Sequence, residues 1–218
     1  MAKLQIGILG AISGAVGTVV GAVVRGVATI RAKPKKSTKP PVQSQINQRS
    51  KFGLMTGFLA NAKSEIEIGY QSYNNVMSPM NAAVQFNLKN AITGVTPDFK
   101  VDYPNVQISK GSLLGSSTIT VAAVAGAMLN ITWDVTAELS ESDQLLRSTD
   151  EGVIMLYAEN GKRFLHSIGT ITRGDGLINV HLPKVFVGDK LHTWFFFMTA
   201  DGKSVSTSQY LGSPLGIA

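Results

Sequence analysis

The sequence predicts a mainly β protein with a helical segment: a C-terminal β-sandwich preceded by an extended glycine-rich N-terminal region and two helices. Three observations predict it. From Pro97 onward, apolar residues alternate in short runs, separated by turn-forming clusters such as Glu159-Asn160-Gly161-Lys162 and Ala200-Asp201-Gly202-Lys203. Between Val42 and Ala91 the apolar spacing is helical instead. Before that runs an apolar leader with no charge from Leu4 to Val24, punctuated by glycine. The expected domains are 1–32, the apolar extended segment; 33–96, a basic linker and helical region; and 97–218, the sandwich.

The leader has two readings. Gly7, Gly10, Gly14, Gly17, Gly21 and Gly26 recur every three to five residues, and each costs about 1 kcal/mol against alanine inside a helix. The pairs Gly10–Gly14 and Gly17–Gly21 nevertheless suit close helix packing in lipid, so a membrane-spanning or interfacial helix stays open. The preferred reading is extended. Val16, Thr18, Val20 and Ala22 then lie on one face, with Gly17, Val19, Gly21 and Val23 on the other. A strand apolar on both faces has to be covered on both, and an unpaired apolar edge recruits another chain. The expected assembly segment is therefore Ile8, Leu9, Val16, Val19 and Val20, continuing through Val23, Val24, Val27 and Ile30. It is read as part of the working chain rather than as a cleaved signal.

Charge sharpens the division. The net charge is +6, from 20 basic and 14 acidic residues, yet residues 1–63 hold ten lysines and arginines and no acid. That is +10 for the first part and, from the other 10 basic and 14 acidic residues, −4 for the remainder. A basic arm of Arg25, Arg31, Lys33, Lys35, Lys36 and Lys39 suits an anionic partner: nucleic acid, a membrane surface or the acidic part of a neighbouring copy. Pro34, Pro40 and Pro41 keep its linker out of a helix, and the absence of aromatic residues there gives no support to base stacking. With no cysteine, disulfides and thiolate metal sites are excluded. The 16% charged fraction, below the roughly 25% of soluble domains, suggests surfaces that pack against something other than water.

A first helix is expected from Val42 to Ile68, with Ile46, Phe52, Met55, Leu59, Ala62 and Ile66 as its apolar positions, weakened at Gly53 and Gly57. A second starts at Ser78 as N-cap with Pro79 in its first turn, and Gly94 suits its stop. Its stripe is Met80, Val84, Leu88 and Ala91. Expected strands are Lys100–Ile108, Ser117–Val124, Ala127–Val135 and Gly152–Glu159, then Arg163–Ile171, Gly176–His181, Lys190–Ala200 and Ser204–Leu211. Seven or eight short strands in this length fit an immunoglobulin-like sandwich. Its core is expected to hold Leu129, Ile131 and Trp133 with Trp194 and Phe196.

The run Leu129-Asn130-Ile131-Thr132-Trp133 and the closing strand–turn–strand from His192 to Ser208 resemble parts of fibronectin type III domains. That resemblance implies a sandwich and leaves function open. Along nearly its full length the chain also resembles a domain-of-unknown-function family of bacterial proteins, mostly from Bacteroidota. The matching features include Gly7-Ile8-Leu9-Gly10, Val16-Gly17-Thr18-Val19-Val20-Gly21, Pro34-Lys35-Lys36-Ser37, Gln48-Arg49-Ser50-Lys51-Phe52 and Tyr210-Leu211-Gly212. Members carry an aromatic residue near Val23-Val24, where this chain is aliphatic. The resemblance implies an architecture but no activity.

Chemistry is sparse. His166, His181 and His192 share no metal-ligand spacing, and each reads as a structural strand residue. Glu138, Glu141 and Asp143, then Asp150 and Glu151, lack the alternation of a calcium loop and read as a negative surface loop. Arg173-Gly174-Asp175 matches a cell-adhesion tripeptide but sits where turn residues are expected. No nucleophile elbow or phosphate-binding glycine loop occurs. The expectation is a non-enzymatic, self-assembling structural subunit of a filament, surface layer or virus-like particle, extracellular or phage-like. It would need no cofactor, metal or small-molecule substrate, and its partners would be other copies of itself. The alternatives are a nucleic-acid-associated basic protein and a membrane-anchored surface module.

Overall fold

The computed structural model describes residues 2–4, 12–24, 26–35, 38–75, 77–116, 118–135, 140 and 147–214, with the backbone alone at 2–4 and 168–170. The chain forms two compact units, Met1–Val42 and Gln43–Ala218.

The first unit is an antiparallel sheet of β1 (Ala2–Leu4), β2 (Gly14–Val16), β3 (Val19–Val24) and β4 (Val27–Ala32), in the order β1-β4-β3-β2. The described part of the leader is thus strand, not helix. Glycine's missing side chain lets the chain turn: Gly17 at φ +57° lies between β2 and β3, and Gly26 at φ +75° between β3 and β4. The β3–β4 hairpin pairs Val19 with Ala32 and Val24 with Val27, and a bond from the Lys33 amide to the Thr18 carbonyl closes its open end at 2.8 Å.

In the second unit, α1 (Gln43–Leu59) and α2 (Lys63–Gly69) occupy most of the expected first helix, joined by a short 3-10 turn. Then comes α3 (Pro79–Asn90), where Ser78 caps the start by accepting from the Asn81 amide. Two short strands, β5 (Ile92–Thr93) and β6 (Lys100–Val101), pair with each other. The sandwich has β7 (Thr120–Val124), β8 (Met128–Thr132) and β11 (Leu177–His181) in one sheet. The other holds β9 (Glu151–Ala158), β10 (Arg163–Thr172), β12 (Leu191–Met198) and β13 (Gln209–Gly212), in the order β10-β9-β12-β13.

The four-stranded sheet is covered on both faces. Alternate residues of β9 and β12 project to opposite sides. Ile154, Leu156, Phe195 and Phe197 meet Leu129, Ile131 and Trp133 of the three-stranded side. Val153, Met155, Tyr157, Trp194 and Phe196 meet the helices, where Met55, Phe58, Leu59 and Ile66 are buried. Trp194 and Phe196 therefore lie in the helix-side core, not in the sandwich core with Trp133. The helices share that core, so residues 43–96 and 97–218 form one body rather than two.

Two expected strands keep less than half of their expected length. Of Lys100–Ile108, only β6 pairs as a strand, because Tyr103-Pro104-Asn105 makes a 3-10 turn. The residues after it are tied by side chains: Asn87 Nδ2 donates to the Gln107 carbonyl at 2.7 Å, and Trp194 Nε1 to the Val106 carbonyl at 3.1 Å. Of Ser204–Leu211, the first part pairs only through isolated bridges, Met198↔Val205 and Leu113↔Ser206, and serine hydroxyls add to them. Ser206 Oγ accepts from the Phe197 amide at 2.9 Å, and Ser208 Oγ from the Ile108 amide at 2.9 Å.

Candidate assembly interface

The N-terminal sheet places the predicted assembly residues on two faces. Residues directly opposite in an antiparallel ladder share a face. The pairings Val16↔Val19, Gly21↔Ile30 and Val23↔Ala28 put Val16, Val19, Val23, Ala28 and Ile30 on one side. Val20↔Arg31, Ala22↔Thr29 and Val24↔Val27 make the other. The first side is crossed by the chain at Ile12. A Cβ built on Gly21 would lie 2.2 Å from the Ile12 carbonyl oxygen, so only glycine fits under that crossing. Gly21 and Ala28 are buried, but Val16, Val23, Val24 and Val27 remain 58%, 50%, 61% and 42% exposed. Ile8 and Leu9 lie outside the described residues.

Of the basic arm, Arg31, Lys33, Lys35 and Lys39 are exposed, while Arg25 and Lys36 lie outside the described residues. So do Glu138, Glu141 and Asp143 of the expected acidic loop. Asp150 does not belong to a negative surface. It is buried with Arg173, whose Nε and Nη2 both lie 3.2 Å from its Oδ2. Burial pushes the Asp150 carboxyl above its ordinary range despite that guanidinium. Arg173 also donates to the Leu114 and Gly115 carbonyls and lies 3.9 Å over the Phe197 ring. The adhesion-like tripeptide thus has its arginine inside the protein, while Asp175 closes a capping box with Thr172.

The three histidines do lie in strands, separately. His166 Nδ1 of β10 is 2.9 Å from Oε1 of Glu65, a carboxylate buried in α2. Burial alone would push that carboxyl up, but His166, the backbone amide of Glu65 and Ser64 outweigh it and hold it below its ordinary value. His192 is buried, with Nδ1 2.8 Å from the Tyr210 hydroxyl and Nε2 3.3 Å from Glu159. His181 is exposed in β11. Among the described residues no group of three acidic, histidine or cysteine side chains could hold a metal ion, and no helix is long and apolar enough to cross a membrane.

Sequence reasoning passed over a groove beside α1, whose wall includes Gly53 and Gly57. The signal was present in the two helix-interior glycines, read there only as weak points.

No curated protein matches the chain. Among solved structures, the fn3 domain of the human collagen alpha-1(XX) chain is similar at 11% identity and a TM-score of 0.35, over 50% of this chain and 90% of that one. A family profile matches residues 11–212, so the chain belongs to the family of unknown function DUF6266.

Proposed function

We propose that the chain is a self-assembling structural subunit, not an enzyme, that builds a filament, surface layer or virus-like particle by packing its N-terminal sheet against other copies. The observation that carries this is four exposed valines on one small sheet, Val16 and Val23 on one face and Val24 and Val27 on the other, beside Thr29 and Arg31. Fully burying a valine is worth roughly 1.5–2 kcal/mol, so covering four half-exposed ones contributes about 3–4 kcal/mol. That falls at or below the low end of the roughly 4–15 kcal/mol cost of association. Backbone pairing must add to it, which favours strand addition along the outer strands β1 and β2, each paired on one side among the described residues.

The test replaces Val16, Val23, Val24 and Val27 together with threonine, which keeps the β-branched shape and exchanges one methyl of each for a hydroxyl. Light scattering should find large particles for the native chain, and monomers for this variant and for a chain lacking residues 1–31. Equal particle size in all three, or a native chain that is itself monomeric, sinks the reading.

A second reading has one observation in its favour. Arg31, Lys33 and Lys35 are exposed in a stretch that holds no acid before Glu65. An arm of this kind binds nucleic acid with an affinity that falls steeply with salt. Filter binding at about 50 and 200 mM salt tests it; retention that does not change with salt excludes it.

A further inference from the structure

We propose that the second unit carries a binding groove for a small amphiphilic carboxylate, an aromatic or branched apolar body bearing one acid group. The groove has a volume of about 540 Å³ between α1, β6 and the β9–β10 hairpin. That lies within the roughly 300–1,000 Å³ typical of small-molecule sites. Its apolar lining is mainly aromatic: the Phe58 and Tyr157 rings meet edge-on at 5.3 Å, and Phe164 lies 4.7 Å from Tyr157.

The helix wall carries the argument further. Gly53 and Gly57 are four apart in α1, so they share a face, and both line the groove. Each costs about 1 kcal/mol of helix stability relative to alanine. Among the described residues nothing needs them to be glycine: a Cβ on either would meet no atom within 4 Å, and neither has a left-handed backbone. Gly21 and Gly69 differ, because a Cβ there would collide with neighbouring backbone. The bare surface at Gly53 and Gly57 is explained by something from outside the chain lying against it.

The rim states the ligand's charge. Lys100 and Lys162 line the groove and are exposed. Lys162 is held there with a left-handed backbone, φ +49°, by a hairpin tip that Asp189 fixes through the Asn160 amide and the Gly161 N–H, both at 3.1 Å. The rim's one acid, Glu159, is already engaged by His192 at 3.3 Å and Lys190 at 3.8 Å. Aromatic walls with two rim ammonium groups complement an apolar body whose carboxylate stays near water.

The probes are 1-naphthylacetate and its uncharged carboxamide, 1-naphthylacetamide, titrated against the full chain by ligand-observed NMR. The carboxylate should saturate and bind about fivefold more tightly than the amide. Gly57→Leu, and separately Gly53→Leu, should weaken both probes about tenfold while leaving the thermal midpoint equal or higher, because a glycine leaves the helix and the Cβ position is open. Lys100→Gln combined with Lys162→Gln should bring the carboxylate down to the affinity of the amide. Absence of saturable binding, unchanged binding in both leucine variants, or equal binding of acid and amide to the native chain would each overturn the proposal. Particle size plays no part in these readouts, so the assembly reading can fail without this one.

Discussion

β3 and β9 pose the same physical problem and meet different environments. Val19–Val24 and, after Glu151, the rest of β9 are both apolar on their two faces. β9 is the second strand of a four-stranded sheet with helices on one side and a second sheet on the other, and Gly152 through Ala158 are all buried. Among the described residues β3 is crossed by the chain at Ile12 on one face, and its end at Val23 and Val24 is exposed. An all-apolar strand says only that cover is needed. Among the described residues of the first unit, Val23, Val24 and Val27 keep about half of their surface open.

The largest way to break the comparison is in the covered sheet. Trp194→Ala removes a buried indole that contacts Phe58 and Tyr210 and donates to the Val106 carbonyl. It should cost about 3–5 kcal/mol in urea unfolding. Val24→Thr, on a side chain 61% exposed, should stay within about 0.5 kcal/mol. A comparable loss from both would mean that the first unit is covered after all.

A middle-sized effect is expected at Gly21. Gly21→Ala sets a methyl group against the Ile12 carbonyl and should cost the first unit about 1–3 kcal/mol. Hydrogen exchange should show faster amide exchange in β2–β4 and an unchanged second unit. Loss of protection in both would mean that the units fold as one.

How much of this was legible depends on how local the cause is. The start of α3 could be read because Ser78 and Pro79 act within one turn. The strands Val19–Val24 and Val27–Ala32 could be read because β-branched residues between glycines favour extended chain. The layer assignment of Trp194 and Phe196 could not. Parity along Leu191–Met198 places Trp194 and Phe196 on one face and Phe195 and Phe197 on the other, but nothing in an all-apolar run says which face meets helices. The shortened strand after Lys100 was hidden for another reason: its bonds come from Asn87 and Trp194, which are distant in sequence. The groove at Gly53 and Gly57 needed coordinates, since only they separate a glycine required by a neighbour from one that is not.

The smallest effect is on pH dependence. Burial holds the His192 imidazole below its ordinary 6.5, although Glu159 pulls the other way. The unfolded chain therefore takes up the proton first, so stability present above pH 6.5 is lost as pH falls through the lower folded value. Glu65, also held low, adds a second loss that begins below its ordinary 4.5. His192→Gln should flatten the first step and leave the second. A urea-midpoint profile that keeps the upper step in that variant would assign it elsewhere.

The buried Arg173 bears on how short motifs are used. A receptor that recognises the Arg173-Gly174-Asp175 tripeptide would have to draw the guanidinium away from a carboxylate, two carbonyls and a phenyl ring before meeting it. That is a partial unfolding of the domain, and its cost would be subtracted from any affinity the contact supplied. Three matching letters in a string therefore describe an internal fastening here, and a peptide copied from them would present chemistry that the folded protein keeps out of reach.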